Sequence, residues 1–209
     1  DDLLSGGTGN DTLEGGDGND RFHVGNSLNN GISAGDGNDQ VEVKGNASGT
    51  IDLGAGNDQL EVGGNVNNGL TAGAGDDTIL IHGTANGTLD LGTGNDWLSV
   101  QGTVNNNILA GSGNDVVFVG GTANGTINMG DGDDYLQVSG TVNGTLIGGT
   151  GTDSLVLSGY TVADWNNNVN GIQSKVSSFE NIKCSDGVVK GDSSAFTTTT
   201  TTTTTTTET

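Results

Sequence analysis

Aspartate recurs in this chain at a constant spacing and in a constant neighbourhood. Eight aspartates follow one another every 19 residues, and each closes a short glycine-rich block such as Gly35-Asp36-Gly37-Asn38-Asp39. Asp1 continues the series towards the N-terminus. Carboxylates bind hard cations and serve as acids or bases in catalysis, so these residues are the ones most able to do chemistry. This aspartate row comprises Asp20, Asp39, Asp58, Asp77, Asp96, Asp115, Asp134 and Asp153.

The aspartate row has almost no counter-charge. The chain contains 26 acidic residues against five Lys and Arg, a net charge of −21, and residues 1–157 contain 21 of the acids with only Arg21 and Lys44. Stacked about 4.8 Å apart, as in neighbouring strands, the carboxylates would repel one another strongly unless cations bind them. Ca²⁺ accepts roughly six to eight oxygen ligands in flexible geometry, and glycine-rich turns can direct backbone carbonyls towards an ion. The row therefore predicts calcium; about eight ions would bring roughly +16.

Other kinds of chemistry fit the sequence less well. Evenly spaced, equivalent carboxylates lack the unequal environments that separate the acid from the base in glycoside hydrolysis, and no nucleophile–base arrangement is visible. We therefore predict no enzymatic activity. The acidic charge excludes electrostatic binding to nucleic acid or anionic membrane. One cysteine and two histidines exclude a disulfide framework and a zinc-type cluster, and no apolar run approaches the roughly 18 residues of a membrane span.

The stretches between the aspartates have the periodicity of strands. Each row member precedes an alternating segment such as Gln59-Leu60-Glu61-Val62, and a second strand follows about ten residues later, as in Thr50-Ile51-Asp52-Leu53. Two strands and two turns in 19 residues make one coil of a parallel β-solenoid. We predict an all-β, right-handed parallel β-solenoid (β-roll) over residues 1–157.

Two inward columns alternate in side-chain size with opposite phase. Within a coil a larger residue meets a smaller one, as Ala85 does with Leu91, so that the summed volume stays nearly constant. The packing period is therefore two coils, or 38 residues. The columns are Leu28, Ala47, Val66, Ala85, Val104, Ala123, Val142 and Ala34, Leu53, Ala72, Leu91, Ala110, Met129, Gly148.

The first coil carries a recognisable motif. Gly6-Gly7-Thr8-Gly9-Asn10-Asp11-Thr12-Leu13 and Gly15-Gly16-Asp17-Gly18-Asn19-Asp20-Arg21-Phe22 resemble the nonapeptide of the RTX, or hemolysin-type, calcium-binding repeats. The resemblance implies calcium ligands from Asp11 and the aspartate row. It also implies ligands from backbone carbonyls of successive turns: Gly16, Gly18, Gly35, Gly37, Gly54, Gly56, Gly73, Gly75, Gly92, Gly94, Gly111, Gly113, Gly130, Gly132, Gly149 and Gly151.

The chain departs from that family on one side. In ordinary RTX rolls both turns of a coil carry the nonapeptide, whereas here only the first coil does so, through Asp11. Opposite turns such as Gly83-Thr84-Ala85-Asn86-Gly87-Thr88 have no acid, so we place about one ion per coil along one edge only. The other edge is interpreted as a side-chain ladder that stabilises the turns rather than as a binding face. Its members are Asn29, Ser48, Asn67, Asn86, Asn105, Asn124 and Asn143.

The C-terminal part loses the period. Residues 158–196 are predicted to cap the apolar end of the solenoid, and residues 197–209 to form a threonine-rich linker or tail. Ser178-Phe179-Glu180-Asn181-Ile182 resembles a segment that often follows RTX repeats. Cys184 is predicted to be an unpaired, buried or semi-exposed thiol, and His23 and His82 to be surface residues. The apolar residues assigned to the cap are Tyr160, Trp165, Ile172, Val176, Phe179, Ile182, Val188 and Val189.

The resulting functional hypothesis is a calcium-binding structural or adhesive module of a larger secreted or cell-surface protein, which folds on binding Ca²⁺. Self-association into a filament or surface layer is a first alternative, although an apolar cap opposes simple end-to-end stacking. Contacts with a surface, with glycans or with ice are open.

Ice binding is the second alternative. The 19-residue coils are similar to the ice-binding region of certain bacterial RTX adhesins, in which Thr and Asx side chains project from the calcium turns. Here the Asx file is regular (Asn10, Asn19, Asn38, Asn57, Asp76, Asn95, Asn114, Asp133, Thr152), whereas the Thr file is broken (Thr8, Asp17, Asp36, Ala55, Ala74, Thr93, Ser112, Asp131, Thr150). The opposite edge offers the shorter but more regular file Thr84, Thr103, Thr122 and Thr141.

Overall fold

The predicted architecture is confirmed. The computed structural model describes residues 1–7 and 10–189, and in this part the chain winds as a parallel β-solenoid with two strands in each coil. Each strand pairs with its equivalent in the next coil, so that two sheets of 11 and 9 strands face each other. The alternating burial of each four-residue strand, with its second and fourth residues inside, follows from the apolar residues at every second position.

The 11-stranded sheet contains the strands that follow the aspartates and the last hairpin. Its strands are β1 (Leu3–Gly6), β3 (Arg21–Val24), β5 (Gln40–Val43), β7 (Gln59–Val62), β9 (Thr78–Ile81), β11 (Trp97–Val100), β13 (Val116–Val119), β15 (Tyr135–Val138), β17 (Ser154–Leu157), β19 (Asn181–Cys184) and β20 (Gly187–Val189). The 9-stranded sheet contains β2 (Leu13–Asp17), β4 (Ile32–Asp36), β6 (Ile51–Ala55), β8 (Leu70–Ala74), β10 (Leu89–Thr93), β12 (Ile108–Ser112), β14 (Ile127–Asp131), β16 (Leu146–Thr150) and β18 (Val176–Ser177).

The register follows the 19-residue period in the regular coils and departs from it at both ends. Between successive strands from β2 to β17, paired residues lie 19 positions apart, as Gln59 and Thr78 do, whereas β18 and β19 pair at spacings of 30 and 27. β1 pairs with β3 at a spacing of 18, because Leu3 lies opposite Arg21. Asp2 therefore heads the aspartate row. The extrapolation to Asp1 was wrong by one residue.

The core is a thin filling between the sheets, made of columns of equivalent aliphatic side chains. Both size-alternating columns are inside: Ala85 and Leu91 are fully buried, and Met129 replaces Leu in its column without exposure. The column from Leu28 to Val142 also forms a line of single parallel bridges, which is a third short ladder at one turn. Each apolar side chain packs on the equivalent side chain of the next coil. One apolar residue per position, repeated in every coil, is therefore enough to hold neighbouring coils together.

The turns at the aspartate row require glycine. Two glycines in each of these turns have φ between +95° and +140°, a region that side chains rarely adopt. A Cβ on Gly35 would lie 2.1 Å from the carbonyl oxygen of Gly16 in the preceding coil. These glycines therefore allow both the tight turn and the close stacking of successive turns.

Residues 158–189 continue both sheets beyond the last regular coil. β18 and β19 each add a strand to one sheet, and between β17 and β18 lie helix α1 (Val162–Asn166) and a kinked 3₁₀ segment (Val169–Lys175). Trp165, Ile172 and Phe179 are buried against the last coil. Val188, assigned to the cap, is 66% exposed because it lies on the short outer hairpin strand β20. The threonine tract lies outside the described residues.

Candidate metal centre

The aspartate row is buried and hydrogen-bonded in one direction. Its eight members are at most 2% exposed. In the seven members from Asp39 to Asp153, Oδ1 accepts a hydrogen bond from the backbone amide of the row member one coil earlier, at 2.7 to 3.0 Å. The 19-residue period thus places one carboxylate in every coil and fixes its orientation.

The second oxygen of each carboxylate has no partner. In the part of the chain that the structure describes, the Oδ2 atoms of all eight row members are buried and accept no hydrogen bond. At Gly15 and Gly148 a Cβ would meet the Oδ2 of Asp20 and of Asp153 at 2.5 and 2.6 Å, so these oxygens point into the coil. A buried polar atom without a partner is costly, and eight in a line indicate that something absent from the polypeptide completes them.

Basic side chains do not supply that partner. Among the described residues, only the N-terminal ammonium group approaches the row, 3.6 Å from Oδ1 of Asp20. Lys44 pairs with Glu42 on the outer face of the 11-stranded sheet. His23 and His82 are partly exposed there and contact Glu42 and Glu61 at 2.8 and 2.9 Å. Lys44 is thus paired away from the row, and Arg21 is exposed on the same sheet.

From Asp39 to Asp153, burial raises the pKa of the row carboxyls, and neighbouring row members raise it further in most cases. The pKa rises to about 7 for Asp77 and Asp115, against an ordinary value of 3.8, because burial disfavours the charged form. The pKa reaches about 6 for Asp58, Asp96 and Asp134, with burial again the main cause. Without a metal the row therefore resists full ionisation near neutral pH.

The donor set fits calcium better than a softer metal. Among the described residues no three His, Cys, Asp or Glu side chains converge, so a zinc-type cluster is absent from this part of the chain. The turns that end at the row aspartates contain the predicted glycine ligands, whose carbonyls are oxygen donors of the kind that calcium prefers. The carbonyl between the two glycines is already used, since Ala55 O accepts the amide of Gly37 at 2.7 Å. Binding by the glycine carbonyls stays a prediction.

At both ends of the row the hydrogen-bonding partner is a residue outside the 19-residue repeat. At the N-terminal end, the Asp2 amide donates to Oδ1 of Asp20. At the other end Glu180 takes the place of a ninth aspartate, because its Oε2 accepts the Asp153 amide at 2.7 Å. Glu180 was missed as part of the row; the signal was its place in the segment that resembles those after RTX repeats. Asp11 lies near Gly6 on the opposite edge, apart from the row.

The exposed Asx file beside the row is linked in the opposite direction. The amide of Asn38 donates to the side-chain oxygen of Asn19 in the preceding coil, and the same bond repeats to Thr152 at 2.7 to 2.9 Å. The two files therefore connect each coil to both neighbours.

The opposite edge is an amide ladder, as interpreted from the sequence. From Asn86 to Asn143 each Nδ2 donates to the Oδ1 of the equivalent asparagine one coil earlier at 2.8 Å, and Asn67 Nδ2 donates to Ser48 Oγ at 3.4 Å. Beside it Asn65 Oδ1 accepts the amide of Thr84 at 2.8 Å. We call this the amide edge.

Comparison with known proteins agrees with this geometry. Residues 1–27 match the family model of the RTX calcium-binding nonapeptide repeat (four copies). This N-terminal segment is similar to RTX calcium-binding repeats. The resemblance seen in the first coil is thus confirmed, and the calcium that the row predicts is the ion for which these repeats are named. Residues 145–196 match a second family model, the bacterial antifreeze protein repeat.

A solved structure resembles most of this chain. It is described as a hyperactive, Ca²⁺-dependent, β-helical antifreeze protein from an Antarctic bacterium, and it matches with a TM-score of 0.81 and 38% identity. The match covers 91% of this chain and 65% of that one. No curated protein matches significantly. Among the described residues, no helix is long and apolar enough to cross a membrane.

Proposed function

We propose that this chain is a calcium-dependent, non-enzymatic structural module of a secreted or cell-surface protein, folded by ions bound along the aspartate row. The supporting observation is the line of eight buried Oδ2 atoms without partners in the described residues. Ca²⁺ between successive turns, held by row carboxylates and glycine carbonyls, would complete these oxygens. About one ion per coil, on this edge only, is the stoichiometry we propose.

Two costs make folding depend on the ion. The row brings buried like charges together, and the 40 glycines of the chain lose much conformational freedom on folding. Binding of calcium by the folded chain alone offsets both, so binding energy appears as folding energy. Sites of this oxygen-rich kind suit extracellular calcium concentrations, and this supports the proposed location.

Far-UV circular dichroism tests calcium-driven folding. We expect the β signal to be lost in EDTA and restored by excess Ca²⁺, but not by an equal concentration of Mg²⁺, which demands a smaller octahedral site. Isothermal titration calorimetry on the same protein counts the ions. An unchanged β signal in EDTA, with all calcium removed, would contradict the proposal.

Ice binding is a second candidate, favoured by the antifreeze repeat match at residues 145–196 and by the similar Ca²⁺-dependent antifreeze structure. An ice-binding face needs a flat, regular and uncharged array. On the edge of the solenoid that contains the aspartate row (the aspartate edge), the Thr file beside the Asx file includes Asp17, Asp36 and Asp131. The amide edge instead carries Thr103 and Thr122 beside locked asparagines, without charge. We therefore propose the amide edge as the ice-contacting face.

Thermal hysteresis of the calcium-loaded chain decides this second candidate. We expect Thr103→Tyr combined with Thr122→Tyr to abolish the hysteresis, whereas Thr93→Tyr on the aspartate edge leaves it intact. The reverse result would place the face on the aspartate edge. No hysteresis and no ice shaping at millimolar protein would remove ice binding while leaving calcium-driven folding untouched.

A further inference from the structure

The outer face of the 11-stranded sheet changes character half-way along the solenoid. Over β3 to β7 it carries charged residues such as Arg21, Glu42 and Glu61, but over β9 to β17 its ten outward positions carry none. This is unusual in a chain with a net charge of −21. We call this region the neutral face: Thr78, Leu80, Trp97, Ser99, Val116, Phe118, Tyr135, Gln137, Ser154 and Val156.

Three aromatic rings form a continuous strip across the neutral face. The ring centres of Trp97 and Phe118 are 6.0 Å apart and those of Phe118 and Tyr135 are 5.7 Å apart, with an angle of 52° between the planes in each pair. Trp97 and Tyr135 occupy the same column two strands apart, so the strip is roughly 10 Å long. Trp97 remains 37% exposed in spite of these contacts.

The solenoid itself does not require this strip. The same two columns hold Arg21, Gln40 and Glu61 in the earlier coils, and the fold is unchanged there. The rings lie outside the core, on the face of the sheet that points away from it. A contiguous exposed aromatic patch on a soluble protein marks a binding surface more often than a single exposed apolar residue does.

A shallow groove extends the strip towards the N-terminal coils. It has a volume of about 320 Å³ and reaches from Trp97 across β9, where Thr78 and Leu80 line it. Farther along, the groove leaves the neutral face, and the amides of Gln40 and Gln59 line it with hydrogen-bonding groups beside the charged Arg21, Glu42 and Glu61. The Tyr135 hydroxyl, which donates to Gln137 Oε1 at 3.2 Å, supplies the same kind of group at the other end.

The negative charge of the molecule and the shape of the neutral face indicate which class of ligand can bind there. An anionic polymer is repelled by the acidic molecule, and a cationic partner would be drawn to the acidic edge rather than to the neutral face. A sugar ring has an apolar C–H face that packs on an aromatic ring and hydroxyl edges that bond to amides and hydroxyls. Because the three rings are tilted, they fit a single twisted chain better than a flat crystalline surface. We propose that the neutral face binds an uncharged polysaccharide chain along the strip.

Affinity electrophoresis of the calcium-loaded full chain tests this proposal. Native gels contain hydroxyethylcellulose, galactomannan or dextran as neutral probes, and carboxymethylcellulose as the charged counterpart of the first. We expect retardation by at least one neutral probe and none by carboxymethylcellulose. Trp97→Ala and Tyr135→Ala should each weaken the retardation about tenfold. The matched control is Leu109→Ala, since Leu109 is also 37% exposed but lies on the opposite sheet.

Four results would overturn the proposal: no retardation by any neutral probe, equal retardation by carboxymethylcellulose, retardation that Trp97→Ala leaves intact, or a calcium-loaded dimer that Trp97→Ala converts to monomer. The last would assign the neutral face to a second copy of the chain. Circular dichroism of each variant in calcium verifies folding, so that failure of glycan binding is distinguished from failure of calcium-driven folding.

Discussion

At the scale of the residue, each row aspartate has two oxygens with different tasks. Oδ1 accepts a backbone amide and stacks one coil on another, whereas Oδ2 is left for an ion. Asparagine keeps the first task and loses the second, because its Oδ1 still accepts while its Nδ2 cannot bind a cation. The two tasks can therefore be separated by one substitution.

Asp96→Asn should lower stability in calcium but not in EDTA. In calcium it removes one ligand oxygen, and we expect a loss of about 1–3 kcal/mol, or a melting temperature about 2–8 °C lower. In EDTA it removes a buried charge, so the residual structure should be no less stable than that of the wild type. Thermal melts followed by circular dichroism measure the loss in calcium, and the β signal that remains in EDTA is compared between variant and wild type at one temperature.

The control for this substitution is Asp52→Asn, on the exposed outer face of β6. It removes the same charge from the chain without touching the row, so it should shift the melting temperature by less than about 1 °C in calcium. Equal effects of the two substitutions would show that net charge, and not a ligand, matters.

Raised pKa values predict a particular pH dependence for the calcium-free chain. Because Asp77 and Asp115 have folded-state pKa values near 7, against 3.8 ordinarily, the folded chain binds more protons than the unfolded chain between these values. The resulting stability is present below about pH 4 and is lost as the pH rises through about 7. We expect more β signal at about pH 5 than at about pH 8 in calcium-free buffer.

Calcium should reverse that dependence, since the ion binds only ionised carboxylates. Circular dichroism melts at both pH values, with and without Ca²⁺, give the comparison. In the variant Asp77→Asn/Asp115→Asn the calcium-free pH dependence should shrink. A calcium-free chain that loses β signal on acidification would show that the row does not govern its stability.

At the scale of the element, one coil is a packing unit in which size at one position complements size at another. Leu91→Ala should cost about 2–5 kcal/mol through a cavity, and Ala85→Leu about 1–3 kcal/mol through overpacking. If the two side chains share one space, the double variant recovers at least about 1 kcal/mol relative to the sum. Urea unfolding in calcium measures all three.

A pair from distant coils supplies the control for this cycle. Ala47 belongs to the same column as Ala85 but lies two coils from Leu91. Ala47→Leu with Leu91→Ala should therefore be additive. Recovery in the distant pair, or strict additivity in the near pair, would refute complementarity within the coil.

The coil was predictable from sequence because each residue's neighbours are its own equivalents. A period of 19 and an alternation of apolar residues determine both the inward columns and the row of Asp39, Asp58 and their successors. The ends were not predictable in the same way. Asp1 and Asp2 are chemically identical, and only the pairing of β1 shows which one enters the row.

The position of Glu180 in the row could not be predicted from the 19-residue period either. Glu180 follows Asp153 by 27 residues, and α1 and the 3₁₀ segment lie between them. Only the path of the chain brings its carboxylate to the row. The exposed position of Val188 depends in the same way on the outer hairpin. The aromatic strip, by contrast, could have been read from the alternation, since Trp97 and Phe118 occupy outward positions.

At the scale of the whole molecule, the solenoid behaves as a stack whose stability is nearly a sum over neighbouring coils. The central coils have a neighbour on each side, whereas β1 is an edge strand in the described residues and its Leu3 is 76% exposed. At the other end β20 pairs on one side only. Opening should therefore begin at the ends.

Hydrogen exchange followed by mass spectrometry measures that gradient. In calcium we expect the amides of β1 and β20 to exchange fastest and those of β9 to β13 slowest, with intermediate rates between. Titration with EDTA should move the boundary of protection inwards from the ends. Uniform protection that disappears in a single step would show that the coils unfold as one unit.

The size alternation in the two inward columns also constrains how such a chain can change length. An insertion of any number of whole coils keeps the strand register. Only an insertion of an even number of coils also keeps the alternation of small and large side chains, as between the coils of Ala85 and Val104. Duplication of 19 residues would place two coils of the same type in contact, with bulky side chains stacked in one column and small ones in the other. Gene duplications in this lineage, and designed extensions of the protein, should therefore be accepted most readily in steps of 38 codons.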